Sequence, residues 1–206
     1  MRFLRAVGFE SLPTLRGPRL HLRSPTLADH GEWRDLRIAS RDFLAPWEPL
    51  WPDDDLERSA FRHRLKRWSQ ETADGLTFPW FLCANRDGRL LGGLTLAQVR
   101  RGVTQAGTIG YWMGAPHAGQ GYMTEAVALL ADHAFRTLGL HRLEAACLPE
   151  NQPSIRLLRR VGFSEEGRAR AYLAIAGAWR DHLLWGLVAG DPVFDPARRP
   201  SADRHA

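Results

Sequence analysis

The residues Tyr111-Trp-Met-Gly-Ala-Pro-His117-Ala-Gly119-Gln-Gly121-Tyr-Met-Thr124-Glu125-Ala place a glycine loop between a strand-like run and a helix-like one. Glycine lets a backbone approach a ligand closely, and the first amides of a helix bind anions without a cationic side chain. The chemistry on offer is a cradle for a phosphate-bearing cofactor. The plainer alternative is that Gly119 and Gly121 only turn the chain. A Walker loop would need Gly-Lys-Ser/Thr, which is absent. A dinucleotide fingerprint would need a third glycine where Thr124 stands, although Glu144 lies near the expected distance. The missing glycine and antiparallel surroundings weigh against that rival without removing it.

Other reactive side chains are sparse. Asn151 and Ser154 sit at the start of a helix-like segment, where Asn151 could act simply as its N-cap and Ser154 as a first-turn residue. His133, His141 and His182 have no metal-ligand spacing, so no metal is expected. Cys83 and Cys147 lie in apolar runs and read as reduced, buried small hydrophobes.

The elements that position these residues follow from hydrophobic period and turn residues. Leu20–Arg23 reads as a strand, followed by a helix with Thr26 as its cap and Leu27, Trp33, Leu36 and Ile38 as its apolar side. Residues 42–52 bracket two tryptophans with three prolines and read as a shaped loop. Asp53 to Asp55 then read as the N-terminus of a second helix running to about Thr72. Phe78–Ala84, Leu90–Val99 and Thr108–Met113 form an antiparallel meander, its first turn marked by Asp87-Gly88. A long helix from Thr124 ends at Gly139. His141–Leu148 is a strand, Pro153 opens a helix stopped by Gly162, and strands near Ala169–Ile175 and Trp179–Val188 finish the domain.

The 206 residues fit one domain over 1–190, with a proline- and charge-rich, disordered tail over 191–206. No apolar run approaches a membrane span, and the N-terminus lacks a cleavage site, so a cytoplasmic protein is expected. The net charge is +5, yet Lys66 is the only lysine. Arg58, Arg62, Arg64, Lys66 and Arg67 cluster at helical spacing, which reads either as a solvated face or as an RNA-facing patch.

The run Gly119 to Ala126, together with Pro149-Glu-Asn151-Gln-Pro-Ser154 and Arg160-Val-Gly162-Phe163, resembles the two core motifs of the Gcn5-related N-acetyltransferase (GNAT) superfamily. Pro116 departs from the family's usual Gln or Arg. Phe43-Leu-Ala-Pro-Trp-Glu-Pro49 and Gly167 to His182 resemble the RimJ branch. The resemblance implies an α+β fold with a mixed, mostly antiparallel sheet of six to seven strands, splayed in the middle, and about four helices on its faces. It implies acetyl-CoA as cosubstrate and, as acceptor, a protein N-terminus such as the alanine of a ribosomal protein. A small-molecule amine acceptor and a non-catalytic acyl-CoA-binding protein are the alternatives, and the chain would be a monomer or homodimer.

Site roles follow from the same resemblance. The amides of His117, Ala118, Gly119, Gln120, Gly121, Tyr122, Met123 and Thr124 would hold the pyrophosphate. Met113 and Gly114 would pair with the pantetheine arm. Asn151 would face that arm, and Ser154 would stand near the departing sulfur as general acid. Acyl transfer from a thioester develops an oxyanion and a thiolate, so a backbone N–H near the carbonyl and a proton donor near sulfur are needed, with Met113 supplying the first. Glu48 could take the amine's proton, anchor the ammonium or merely stabilise its loop. Tyr172 could assist as a donor or belong to the core. Leu173 stands where RimL-type relatives carry a carboxylate, so the base is unassigned.

Overall fold

The computed structural model describes residues 12–197. An eight-stranded sheet runs in the order β1-β2-β3-β4-β5-β6-β8-β7. Its strands are β1 (Leu15–Arg16), β2 (Leu20–Arg23), β3 (Phe78–Ala84), β4 (Leu90–Arg100), β5 (Ala106–Met113), β6 (Arg142–Cys147), β7 (Ser164–Ile175) and β8 (Ala178–Val188). The helices are α1 (His30–Ala39), α2 (Arg41–Leu44), α3 (Arg58–Ala73), α4 (Tyr122–Arg136) and α5 (Gln152–Val161). The strand count is one above the expectation because Leu15 and Arg16 pair briefly with Leu22 and His21.

Every neighbouring pair is antiparallel except β5 and β6. These two run parallel, joined through α4, and their ladder spans only Ala106–Thr108 against Arg142–Glu144. β5 continues to Met113 along β4, and β6 continues to Cys147 along β8. The sheet therefore opens between β5 and β6, leaving one edge of each strand without a ladder partner there.

Apolar periodicity decides which face each helix covers. α4 buries Ala126, Val127, Leu130, Ala131 and Ala134, and α5 buries Ile155, Leu158 and Val161, all in one cluster with Leu22, Leu82, Leu96, Leu143 and Trp185. Fully burying one such large side chain stabilises by about 1.5–3 kcal/mol. The opposite face packs Trp33 of α1 and Phe61 and Leu65 of α3 against Phe81, Cys83 and Leu90. Among the described residues no helix is long and apolar enough to cross a membrane.

Several elements differ from the sequence expectation. Ile38 is 54% exposed, and Arg37 takes the buried position beside it at 7%. The proline-bracketed loop begins with one helical turn, α2, and a 3-10 turn over Ala45–Trp47. α3 starts at Arg58 and has no acid in its first turn, so Asp53 to Asp55 do not complement its dipole, and Asp55 instead pairs with Arg64 at 2.5 Å. Arg58, Arg62 and Lys66 occupy the exposed side of α3. β7 begins five residues earlier than expected. In the C-terminal segment, Phe194 N–H donates to the Val161 carbonyl at 3.0 Å and Arg160 lies 5.2 Å from the Phe194 ring. The remainder of that segment, 198–206, lies outside the described residues, as does the N-terminal stretch 1–11.

Candidate active site

The glycine loop leaves β5, makes a 3-10 turn over Ala115–His117 and enters α4. Gly119 and Gly121 have φ of +73° and +77°, values that glycine adopts without a Cβ clash. The amides of His117 and Ala118 donate to the carbonyls of Gly114 and Ala115. They are not free for a ligand, which narrows the expected cradle. The amides of Gly119 to Thr124 make no backbone hydrogen bond among the described residues. Six N–H groups at and just before a helix N-terminus are thus without a backbone partner, where the helix dipole favours an anion.

The loop is pinned from below. Glu125, 2% exposed in the first turn of α4, accepts hydrogen bonds from the Arg19 amide at 2.9 Å and its Nε at 2.8 Å. Arg19 also donates to the Gln120 carbonyl and lies 4.7 Å from the Tyr122 ring. Glu125 therefore carries its charge towards Arg19 rather than towards an incoming phosphate. The arrangement fits the pyrophosphate of a coenzyme A thioester. Glu144 pairs with Arg100 and Arg142 at the start of β6, far along the strand from the loop, so it is not placed to take a dinucleotide ribose.

At the end of β5, Gly114 N–H donates to the Leu91 carbonyl at 2.9 Å, and Met113 pairs with Gly92. In an antiparallel ladder this bond makes Met113 and Gly92 a non-hydrogen-bonded pair, so Met113 turns its own N–H away from β4. That direction is the opening beside β6. Met113 packs against the core cluster under α4, while Trp112 points to the α1 and α3 face.

Across the same opening, the Tyr111 hydroxyl lies 2.7 Å from Ser154 Oγ. Burial pushes the Tyr111 phenol well above its ordinary pKa, against a smaller opposing pull from Ser154, so it stays neutral. Ser154 is 7% exposed, and its N–H donates to Asn151 Oδ1 at 3.1 Å. Asn151 is thus the N-cap of α5, and its side-chain NH2 stays available for a further acceptor. Burial raises the Cys147 thiol, with a smaller opposing contribution from Ser154.

Glu48 and Tyr172 lie apart from this group. Both Glu48 oxygens accept from Arg37, at 2.8 and 2.6 Å, and Trp51 Nε1 adds a third bond at 2.8 Å. The Glu48 carbonyl accepts from the Ala176 amide, tying the loop to the β7–β8 turn. Tyr172 is 47% exposed in a bulge where β7 loses register, so it does not belong to the core. Its ring stands edge-on to His182 at 5.9 Å. The sequence gives no site role to Tyr111 or Arg37, and weighs His182 only as a metal ligand. His182 is 3% exposed with Nδ1 3.0 Å from the Arg180 carbonyl.

Comparison with known proteins identifies the family. The family model described as an acetyltransferase (GNAT) domain matches residues 19–164. The chain is 34% identical to the probable N-acetyltransferase YjcK of Bacillus subtilis over 86% of its length and 98% of that protein. It is also 34% identical to the [ribosomal protein uS5]-alanine N-acetyltransferase of Escherichia coli, over 82% of this chain and 88% of that one. The solved structure of Mycobacterium smegmatis RimJ in complex with CoA-disulfide superposes with a TM-score of 0.81 at 35% identity, covering 88% of each chain. A glycine loop that enters a helix, a sheet opened beside it and this kinship lead to one conclusion: the chain belongs to the GNAT family and is an acetyl-CoA-dependent N-acetyltransferase.

Proposed function

We propose that this enzyme acetylates the N-terminal amine of a polypeptide, with the N-terminal alanine of a ribosomal protein as the leading acceptor. The observation that carries this reading is the near full-length likeness to the Escherichia coli enzyme named for that reaction. The loop at Glu48 and the turn at Ala176 are joined by a backbone hydrogen bond, and in this reading they form one wall of the acceptor path.

In the proposed mechanism the amides of Gly119 to Thr124 hold the pyrophosphate, and the backbone edge of Met113 and Gly114 takes the pantetheine arm. Acetyl-CoA supplies the activated acyl group as a thioester. Met113 N–H donates to the carbonyl oxygen as negative charge grows on it, which lowers the barrier most where the donor is already oriented. Ser154 gives its proton to the departing sulfur. The neutral Tyr111 phenol donates to Ser154 Oγ, so the serine's own hydrogen is left to point at the leaving group. An N-terminal amine with a pKa of about 8 is partly neutral at physiological pH, and water suffices to take its proton. Glu48 serves as the brace of its loop, because Arg37 and Trp51 occupy its oxygens, and Tyr172 has no step.

Mass spectrometry of intact ribosomal proteins from cells with and without this enzyme tests the reading. A gain of one acetyl group on an alanine N-terminus is expected only when the enzyme is present. Unchanged ribosomal N-termini, with turnover confined to small amines, would refute it.

A further inference from the structure

The turn between β1 and β2 is built against the first turn of α4. A Cβ on Gly17 would stand 2.5 Å from Glu125 Oε1 and 2.9 Å from Leu129 Cδ1, so glycine lets the turn come this close. The Gly17 N–H closes the turn on the Leu20 carbonyl at 2.9 Å. From the β3–β4 hairpin, Asn85 donates to the Gly17 carbonyl at 2.8 Å and to the Arg19 carbonyl at 2.9 Å. Arg19 is thereby delivered to the glycine loop on a backbone held from two sides.

Each guanidinium nitrogen of Arg19 meets a different part of the loop. Nε donates to Glu125 Oε2 at 2.8 Å, Nη1 donates to the Gln120 carbonyl at 2.9 Å, and Nη2 stands 3.5 Å from the place of a Cβ on Gly121. The bond to Gln120 decides a direction. A trans peptide is planar, with its C=O and N–H pointing opposite ways. With the Gln120 carbonyl held towards Arg19, the Gly121 N–H of the same peptide unit points away from it, and it makes no hydrogen bond among the described residues. Glycine adopts φ of either sign about as readily, so the value of +77° at Gly121 does not hold itself. Turned over, this unit would aim a carbonyl oxygen, not an N–H, at an anion.

We infer that Arg19 is a positioning residue for the coenzyme: by latching the Gln120 carbonyl it keeps the Gly121 N–H directed at the pyrophosphate, and Glu125 holds the latch in place. The inference rests on the reading of the Gly119 to Thr124 amides as the pyrophosphate site. Arg19 and Glu125 form an ion pair with no net charge. The latch therefore acts through the direction of a backbone donor rather than through added positive charge.

The test compares coenzyme A with pantetheine, which shares its thiol arm and carries no phosphate. Dissociation constants of both are measured by calorimetric titration of the full chain. Arg19→Met removes the latch. The double variant Arg19→Met with Glu125→Gln removes it without altering the net charge or leaving a buried carboxylate unpaired. In both, the preference for coenzyme A over pantetheine is expected to fall about tenfold, the scale of one hydrogen bond to a charged group. Equal weakening of the two ligands in the double variant, or no weakening, would overturn the inference, because a role confined to the fold moves both alike. A wild type that binds the two ligands equally would refute the pyrophosphate site itself, and the inference with it.

Discussion

Tyr111 on β5 and Ser154 on α5 meet hydroxyl to hydroxyl at 2.7 Å across the gap where β5 and β6 separate. The bond ties β5 to the helix that follows β6, beyond the short β5–β6 ladder. Ser154→Ala is expected to lower kcat by about a hundredfold or more, the scale of a lost general acid. Tyr111→Phe should lower kcat by about tenfold, with the KM for acetyl-CoA little changed and stability reduced by about 1 kcal/mol for one lost hydrogen bond. Because the tyrosine acts through the serine, the double variant should be no slower than Ser154→Ala alone. Steady-state kinetics on the four proteins decide this, and additive losses would separate the two residues.

The cradle depends on backbone direction at Gly121, whose φ is +77° at the N-cap of α4. Alanine there costs about 1–2 kcal/mol in the left-handed region, or turns the amides away from the ligand. Gly121→Ala should therefore weaken coenzyme A binding by about tenfold, as read by calorimetric titration. Gly31→Ala makes the control, since nothing lies within 4 Å of its added Cβ and the site is an exposed helix position. That change should stabilise the fold by about 0.5–1 kcal/mol and leave the titration unaltered.

Acid sensitivity follows from His133, which is 7% exposed and stands edge-on to Trp80 at 5.9 Å. Burial pushes its imidazole below the ordinary value of 6.5, against a smaller upward pull from Asp132. The unfolded chain then binds the proton more readily than the folded one, so stability rises with pH. It is full above the unfolded value and falls as pH drops through 6.5 towards the folded value, by at most about 1.4 kcal/mol per pH unit for this group. His117 is shifted the same way by burial, so His133→Gln should remove only part of the slope. Urea unfolding at pH 7.5, 6.5 and 5.5 measures it.

Much of the frame is legible in the residue pattern because its signals are local. Asp87-Gly88 turns the β3–β4 hairpin, Gly139 ends the α4 segment, and Gly119 and Gly121 announce the cradle, each through backbone conformations that few other residues accept. What the pattern hides is contact between distant residues. Tyr111 and Ser154 are 43 positions apart, and neither looks unusual within its own strand or helix. Ile38 reads from the sequence as part of the apolar side of α1, yet it is exposed and Arg37 is buried beside it. Stacking on Trp51 and Trp112 and pairing with Glu48 reverse the two, a tertiary effect no helical wheel contains. The place where β5 leaves β6 is equally invisible, because both strands keep their other ladders beyond it.

The same ion pair decides what Glu48 does. Its carboxylate side chain is 20% exposed against 9% for Arg37, and three donors hold it. Removing one partner of a pair this enclosed leaves the other charge poorly compensated, at about 3–5 kcal/mol when burial is complete and less here because Glu48 keeps some solvent. Glu48→Gln should therefore lower stability by about 2 kcal/mol and loosen the wall it shares with Ala176. Under the proposed function that wall borders the acceptor path, so peptide KM should rise, while the pH profile of kcat keeps its shape. A base would behave otherwise: kcat would collapse and the acidic limb of the profile would vanish, since glutamine cannot take a proton. Measuring kcat and KM from pH 6 to 9 in the wild type and Glu48→Gln separates brace from base, because only the base role moves the profile.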